Sequence, residues 1–269
     1  MKPTYLTKII ALKRERISDL ISRADIAEMK YRASAARRDV SPHRLRSALA
    51  DHGKVNIIAE FKRASPSKGP INIDADIGDV IQKYDTGGAC AVSVLTESDH
   101  FKGSLDDLLA ARNATNLPLL RKDFIVDEVQ IYESAVAGAD AILLIAAVLT
   151  DDELGRFHYI AETVCKMDAL VEIHSNEEML RAAAIGARII GVNNRDLNTF
   201  KVSLDSSRTL IAHKPAGTLM ISESGLYDHT QLLGLHGLGY DGFLVGESLM
   251  RTDDPSAELR RMRTVSESA

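Results

Sequence analysis

The sequence predicts an α/β chain built as a single (β/α)8 TIM barrel with an N-terminal helical extension. Three observations carry this. From Val55 onward, eight short apolar runs alternate with amphipathic stretches, polar residues gather at the C-terminal ends of those runs, and a glycine marker recurs about every fifty residues. Composition agrees with a soluble domain: 269 residues, 45% hydrophobic and 26% charged, long enough to bury a core without staples.

The first fifty residues hold 12 Lys/Arg against 5 Asp/Glu, a charge of +7, whereas the remaining 219 hold 21 against 33, a charge of −12. Helical patterns run over about 4–20 and 24–37, and a third helix is expected to open on Ser41 and Pro42 as N-cap and first helical residue and to stop at Gly53. These give an extension over 1–54, expected to cover the barrel mouth, and a barrel over 55–269. From charge alone the basic arm reads as a solvated face, a nucleic-acid arm or a lid over an anionic small molecule.

The expected strands are VNIIAEF (55–61), CAVSVL (90–95), LPLLR (117–121), AILLI (141–145), ALVEI (169–173), RIIGV (188–192), TLMIS (218–222) and GFLVG (242–246). Each is almost continuously apolar, as strands covered on both faces must be. Between them, Ile77, Val80, Ile81 and Tyr84, and likewise Leu154, Phe157, Ala161 and Val164, repeat at three and four residues and make one apolar helical face. Gly88, Gly138, Gly186 and Gly239 precede the second, fourth, sixth and eighth strands at intervals of 50, 48 and 53 residues, each placed to end a helix with positive φ.

Several function classes lack support. The longest apolar run, Ala141 to Leu149, is nine residues and too short to cross a bilayer. The N-terminus carries no secretory pattern, so a mature cytoplasmic protein is expected. Cys90 and Cys165 suggest neither a disulfide nor a thiolate metal site. Gly237, Gly239 and Gly242 satisfy G-x-G-x-x-G but precede a strand instead of following one, so they read as helix-end punctuation. There is no P-loop, no HExxH and no G-x-S-x-G, and no metal or cofactor is expected.

Barrel chemistry sits at the C-terminal mouth. The expected strands end there in Glu60 and Lys62, Lys122 and Asp123, Glu172, Asn193 and Arg195, Glu223 and Ser224, and Gly246, Glu247 and Ser248. Lysines among glutamates keep one another ionised, since an opposite charge at about 4 Å is worth on the order of 4 kcal/mol at an effective dielectric near 20. Protonated lysine can then act as acid beside carboxylate bases. Ser224-Gly225 and Gly246-Glu247-Ser248 offer glycines through which backbone N–H groups can reach an anion, and the loop from Ser65 to Gly69 could close on the same phosphate.

The segments IAEFKRASPSKG (58–69), LRKDFIVDEVQIYES (120–134), GADAILLIAAVL (138–149), LVEIHS (170–175), IGVNNRDL (190–197), ISESG (221–225) and FLVGESLM (243–250) closely resemble the indole-3-glycerol phosphate synthases of tryptophan biosynthesis. The resemblance covers essentially the whole chain. Glu128-Val129 departs from the Pro-Tyr it leads one to expect, on a helix flank away from the mouth. No second barrel follows Ala269, so a monofunctional enzyme is expected, monomeric or weakly self-associating, acting on a small anionic substrate without nucleic acid or membrane.

The resemblance implies ring closure of 1-(2-carboxyphenylamino)-1-deoxyribulose 5-phosphate with loss of CO2 and water. It also implies Lys122 as the acid for ring closure, Glu172 as acid/base in dehydration, and Lys62 as partner of the substrate carboxylate that can also protonate the leaving hydroxyl. Glu60, Asn193 and Glu223 would position the lysines and substrate hydroxyls, with Ser224 and Arg195 in support. Phosphate would rest on Ser65, Gly225, Gly246 and Glu247, the last three through backbone N–H, and Phe101, Phe124 and Leu144 would wall the arene. In this reading the arm is a lid over a polyanionic substrate. Another phosphosugar isomerase barrel, a nucleic-acid-binding protein and a Schiff-base aldolase remain as alternatives, the last disfavoured because glutamates should raise, not lower, the lysine pKa.

Overall fold

The computed structural model describes residues 5–23, 25–197 and 199–263. Eight parallel strands close a barrel: β1 (Ile57–Phe61), β2 (Ala91–Leu95), β3 (Leu119–Lys122), β4 (Ala141–Ile145), β5 (Asp168–Ile173), β6 (Ile189–Asn193), β7 (Leu219–Glu223) and β8 (Gly242–Val245). Each pairs with its neighbours in sequence, and β1 meets β8. All eight overlap the expected runs, with no end shifted by more than two residues. Gly88, Gly138, Gly186 and Gly239 take φ of 84°, 85°, 74° and 108°, so the repeat does mark left-handed exits from helices into strands.

Strand alternation divides the core into two shells. Ile58, Ala91, Leu120, Leu143, Ile145, Leu170, Ile189, Ile221 and Leu244 fill the barrel interior. The alternate residues, among them Ile57, Val92, Val94, Leu144, Val171, Ile190 and Phe243, face the helix layer. That layer contains α4 (Ile77–Gly87), α5 (Leu105–Ala114), α6 (Glu128–Val136), α7 (Asp151–Tyr159), α8 (Asn176–Ala184), α9 (Asp205–Leu210), α10 (His229–Gly237), α11 (Glu247–Arg251) and α12 (Pro255–Arg263). Reciprocal capping boxes open three of them, Asp127 with Gln130, Thr150 with Glu153 and Asp228 with Gln231. A π-turn over Ile160–Val164 extends α7.

The extension holds α1 (Tyr5–Arg23), α2 (Ile26–Arg37) and α3 (Arg44–Leu49). The expected helix starts at residues 4 and 24 lie outside the described residues, as do 1–3 and the tail 264–269. Only α1 lies at the mouth, where Leu6 and Ile9 border the cavity. At the opposite end, α3 stoppers the barrel: Leu45 and Leu49 are fully buried among the interior side chains. The expected cap on Ser41 and Pro42 is a correction, because α3 opens at His43, left-handed at φ 52°, and ends at Leu49 well before Gly53. Tertiary contacts override the local signal: His43 Nδ1 lies 3.3 Å from Glu162 and 3.4 Å from Asp168, and the Arg46 backbone N–H donates to Asp168 at 2.9 Å.

The basic arm is spent on the acidic barrel. Lys13 pairs with Asp123, Arg14 with Glu153, Arg16 with Asp99, Lys30 with Glu128, Arg37 and Arg44 with Asp140, and Arg46 with Asp168. Arg37 is buried and also donates to the carbonyls of Ala139, Cys165 and Lys166 at 3.1–3.2 Å. Among the described residues, no helix is long and apolar enough to cross a membrane.

Removing a buried cation that satisfies three carbonyls and a carboxylate costs about 3 kcal/mol. Arg37→Met should therefore lower the urea-unfolding free energy by about that amount, and a loss under about 1 kcal/mol would mean the clamp is not structural.

Candidate active site

Strand register explains which residues meet at the mouth. Asn193 pairs with Glu223, Ile145 with Glu172 and Leu95 with Lys122. Residues paired across parallel strands share a face, so Lys122, Glu172, Asn193 and Glu223 project into one space above the inner shell. A cavity of about 720 Å³ opens there, lined by these four together with Glu60, Lys62, Ser65, Arg195, Ser224, Gly225, Gly246 and Glu247.

At its floor the Lys122 ammonium donates to Glu172 Oε2 and to Glu223 Oε2, both at 2.8 Å. Burial opposes charge on Lys122, but Glu172, Glu223 and Glu60 outweigh it and raise the pKa above the usual lysine value. A lysine so held is an ammonium and not the free amine that imine formation needs. Burial likewise works against charge on Glu172. Lys122, His174 and a hydrogen bond from Asn193 overcome it and hold the carboxyl below its usual range. For Glu223, burial and the neighbouring Glu172 and Glu60 outweigh Lys122 and push the carboxyl up to about 7.

Glu223 owes its position to a glycine. Its Oε1 is buried without a hydrogen-bond partner, directly over Gly191 on β6, where any Cβ would overlap it. Glu60 has a similar neighbour, because a Cβ on Gly246 would lie 2.6 Å from its Oε1. Glu60 Oε1 accepts from Lys62 at 2.6 Å. A side chain at 246 would therefore disturb that ion pair as well as the loop.

The rim is built from loops. Ala64–Ser65 and Gly69–Pro70 form a small antiparallel ribbon after β1, carrying Ser65 and Ser67, whose hydroxyl oxygens lie 3.5 Å apart. Arg195 donates to Ser67 Oγ at 3.1 Å and to the Phe200 carbonyl at 3.3 Å, tying the β6 loop to the β1 loop. Ser224 and Gly225 are consecutive positive-φ residues at 68° and 77°, which turns the chain sharply at the end of β7. Gly246 leads into α11, and the buried Ser248 hydroxyl has no hydrogen-bond partner. The Glu247 carboxylate faces Arg251 at 3.1 Å and Lys68 at 3.8 Å, which leaves its backbone N–H as the group that fits the expected role.

Phe101 and Phe124 stand 6.5 Å apart on one wall. Leu144 is not with them. It faces the helix layer, because its register neighbour Val171 does, and Leu143 and Ile145 line the cavity instead. The alternation inward from Glu172 was the signal that could have identified them. Lys13 of α1 donates to Asp123 Oδ1 at 2.8 Å, beside Lys122, and Arg121 and Thr96 hold the other oxygen. Burial would raise Asp123, but Arg121 and Lys13 keep its carboxyl below the usual range. Val129 does not line the cavity; it is buried with Ile17 and Val126 in the seam under α1.

Among the described residues, two His/carboxylate groups gather: His43, Glu162 and Asp168, brought together by the fold at the closed end, and Glu97, Asp99 and His100, neighbours in sequence after β2. In the first, Arg46 lies 3.8 Å from Asp168 and 4.0 Å from Glu162 and already supplies a cation. In the second, Glu97 accepts the backbone N–H groups of Asp99, His100 and Phe101.

The sequence profile of the indole-3-glycerol phosphate synthase family matches residues 6–262. An indole-3-glycerol phosphate synthase of Carboxydothermus hydrogenoformans is 45% identical, over 95% of this chain and 98% of its own. One of Polaromonas naphthalenivorans is 43% identical over 96% and 97%. Among solved structures, a thiamine phosphate pyrophosphorylase from Pyrococcus furiosus superposes with a TM-score of 0.59 at 16% identity, covering 81% of this chain and 95% of that one. An N-acetylmannosamine-6-phosphate 2-epimerase from Clostridium perfringens gives 0.57 at 16%, covering 77% and 90%. Those two likenesses speak to the fold alone.

The electrostatics predict that, in carboxyl 13C NMR of the free protein, Glu223 titrates near 7 and Glu172 below the ordinary glutamate range. Lys122→Met should raise both, because a cation is lost. The sign for stability follows. With its folded pKa above the unfolded value of about 4.3, Glu223 costs nothing in acid and erodes stability as pH rises from about 4 through 7. A Glu223 that titrates near 4 would contradict this account.

Proposed function

Since the chain belongs to the indole-3-glycerol phosphate synthase family, we propose that Lys122, between Glu172 and Glu223, is the acid that starts its reaction. The reaction converts 1-(2-carboxyphenylamino)-1-deoxyribulose 5-phosphate to indole-3-glycerol phosphate, CO2 and water, which makes the enzyme a carboxy-lyase of tryptophan biosynthesis. The observation that carries the proposal is the buried ammonium shared by two carboxylates at the floor of a cavity with one apolar wall.

Lys122 gives a proton to the ketone oxygen as the aryl carbon bearing the carboxylate attacks the ketone carbon. The cationic ring then accepts the electron pair released with CO2. The ring itself is the electron sink, so this reading calls for no cofactor or metal. Dehydration needs an acid for the leaving hydroxyl and a base for the ring-forming proton. Glu172 serves as acid/base there, and Lys62, held by Glu60, binds the substrate carboxylate and can protonate the hydroxyl. Glu223, with its unpartnered Oε1, and Asn193 receive substrate hydroxyls, and Arg195 and Ser224 support them.

Phosphate rests on Ser65 and on the backbone N–H groups of Gly225, Gly246 and Glu247. The arene lies against Phe101, Phe124, Leu143 and Ile145. The extension over 1–54 is a strap, with α1 as its lid portion and the barrel running from 55 to 269. Its charge serves docking, which argues against a nucleic-acid arm. The reading is completed by a cytoplasmic, monomeric or weakly self-associating protein that needs neither membrane nor nucleic acid.

Purified protein with this substrate should generate indole fluorescence without added cofactor and with chelator present, against a background free of tryptophan. Lys122→Ala should suppress kcat by roughly two to four orders of magnitude with KM much less changed, because a general acid acts in the transition state. Glu172→Gln should lose most turnover while still binding inorganic phosphate. A Lys122→Ala protein that loses affinity but keeps turnover would move Lys122 from chemistry to binding.

A further inference from the structure

The closed end of the barrel carries a cluster that the reaction does not use. His43 opens α3, Glu162 lies in the π-turn that extends α7, and Asp168 begins β5, so the extension and two barrel elements meet there. His43 Nδ1 is 3.3 Å from Glu162 Oε2 and 3.4 Å from Asp168 Oδ1, and one ligand atom from each residue lies within 4.8 Å of the other two. Neither approach is a hydrogen bond, since Nδ1 and Asp168 Oδ1 are both buried without a hydrogen-bond partner. The Asp168 side chain is wholly shielded from solvent, and its orphaned oxygen faces the imidazole. A buried carboxylate oxygen left in that condition is costly until a cation completes it.

The remaining polar atoms are already engaged. Glu162 Oε1 accepts the Ala169 backbone N–H at 2.9 Å, and Asp168 Oδ2 accepts that of Arg46 at 2.9 Å. The His43 backbone N–H donates to the Lys166 carbonyl at 3.3 Å, and the His43 carbonyl accepts from the Ser47 hydroxyl at 3.0 Å. Outer hydrogen bonds of this kind are what orient the ligands of a metal ion. The Glu97 group lacks the arrangement, because backbone N–H groups occupy both Glu97 oxygens.

The spacing also suits an ion. Zinc takes imidazole nitrogen and carboxylate oxygen at about 2.0–2.2 Å in a tetrahedron, which sets neighbouring ligand atoms roughly 3.3–3.6 Å apart. The two distances from Nδ1 have that length. Calcium and magnesium instead want about six or more oxygens. Arg46 brings one positive charge, but from 3.8 and 4.0 Å, and one arginine does not balance two carboxylates. Its side chain is 31% exposed and free to swing outward, and His43, at 25%, leaves the ion a way in.

We propose that His43 Nδ1, Glu162 Oε2 and Asp168 Oδ1 bind one divalent ion of the zinc class, with water as fourth ligand. The ion staples α3 to the closed end of the barrel. None of the three residues lines the mouth cavity, so the site is structural and takes no part in the reaction.

The test is Zn2+ titrated into chelator-stripped protein, read by calorimetry and by thermal unfolding. One equivalent should bind, and Zn2+ at about 100 times its Kd should raise Tm by about 5 °C or more, whereas Ca2+ should leave Tm unchanged. His43→Asn keeps a residue that tolerates the left-handed backbone, and Glu162→Gln keeps an acceptor for Ala169, so both should fold. Each should weaken Zn2+ binding by about 10-fold or more. Arg46→Gln removes the competing charge, keeps the backbone N–H on Asp168, and should tighten binding. Zn2+ affinity that is equal in the wild type and in both ligand variants would overturn the site, as would the lack of one-to-one binding in the wild type.

Discussion

A single ammonium shared by two buried carboxylates organises this molecule. Lys122 at the end of β3 reaches Glu172 on β5 and Glu223 on β7, so one cation ties three alternate strands together at the mouth. Neither carboxylate could stay charged there without it, and two carboxylates sharing one lysine cannot both be ordinary acids. The result is a graded set: Lys122 firmly protonated, Glu172 ionised, and Glu223 near neutrality. Groups with pKa values forced apart by their surroundings can divide acid and base work at one pH.

The rest of the fold serves that cluster. Close packing leaves no slack in the barrel interior, so small residues stand where large polar groups must fit, as Gly191 does beneath Glu223 and Gly246 beside Glu60. The acidic barrel surface receives the basic arm, which stoppers one end with Leu45 and Leu49 and brings α1 across the other. The Lys13–Asp123 contact is one residue from Lys122. Helix α1 is thereby attached beside the strand that carries Lys122, and the charge asymmetry along the chain is matched by ion pairs between its two parts.

Most of this was legible in the sequence. Strands buried on both faces leave unbroken apolar runs, and polar residues at their ends can only mean the mouth, so Glu60, Lys62, Lys122, Glu172, Asn193 and Glu223 were found together. What escaped depends on contacts between distant residues. Leu144 was placed on the arene wall because apolarity says nothing of facing, and only register with Glu172 turns it outward. The start of α3 followed Glu162 and Asp168 instead of the local Ser-Pro signal. Charge alone left the arm as a solvated face, a nucleic-acid arm or a lid, because its cations could not be matched to Asp140, Asp168 and Glu153 before the barrel was closed. His43 carried no motif at all; its meaning comes from the Glu162 and Asp168 side chains that the fold brings to it.

The central claim is that Lys122 is an ammonium acid throughout the working pH range. Nitrogen-15 NMR of the lysine side chains, with Lys122 assigned by comparison with Lys122→Arg, tests it most directly. The account predicts an ammonium signal for Lys122 that persists from pH 6 to beyond the point where the exposed lysines have lost their protons, about 10.4. A Lys122 nitrogen that reports a neutral amine at pH 8 would contradict it.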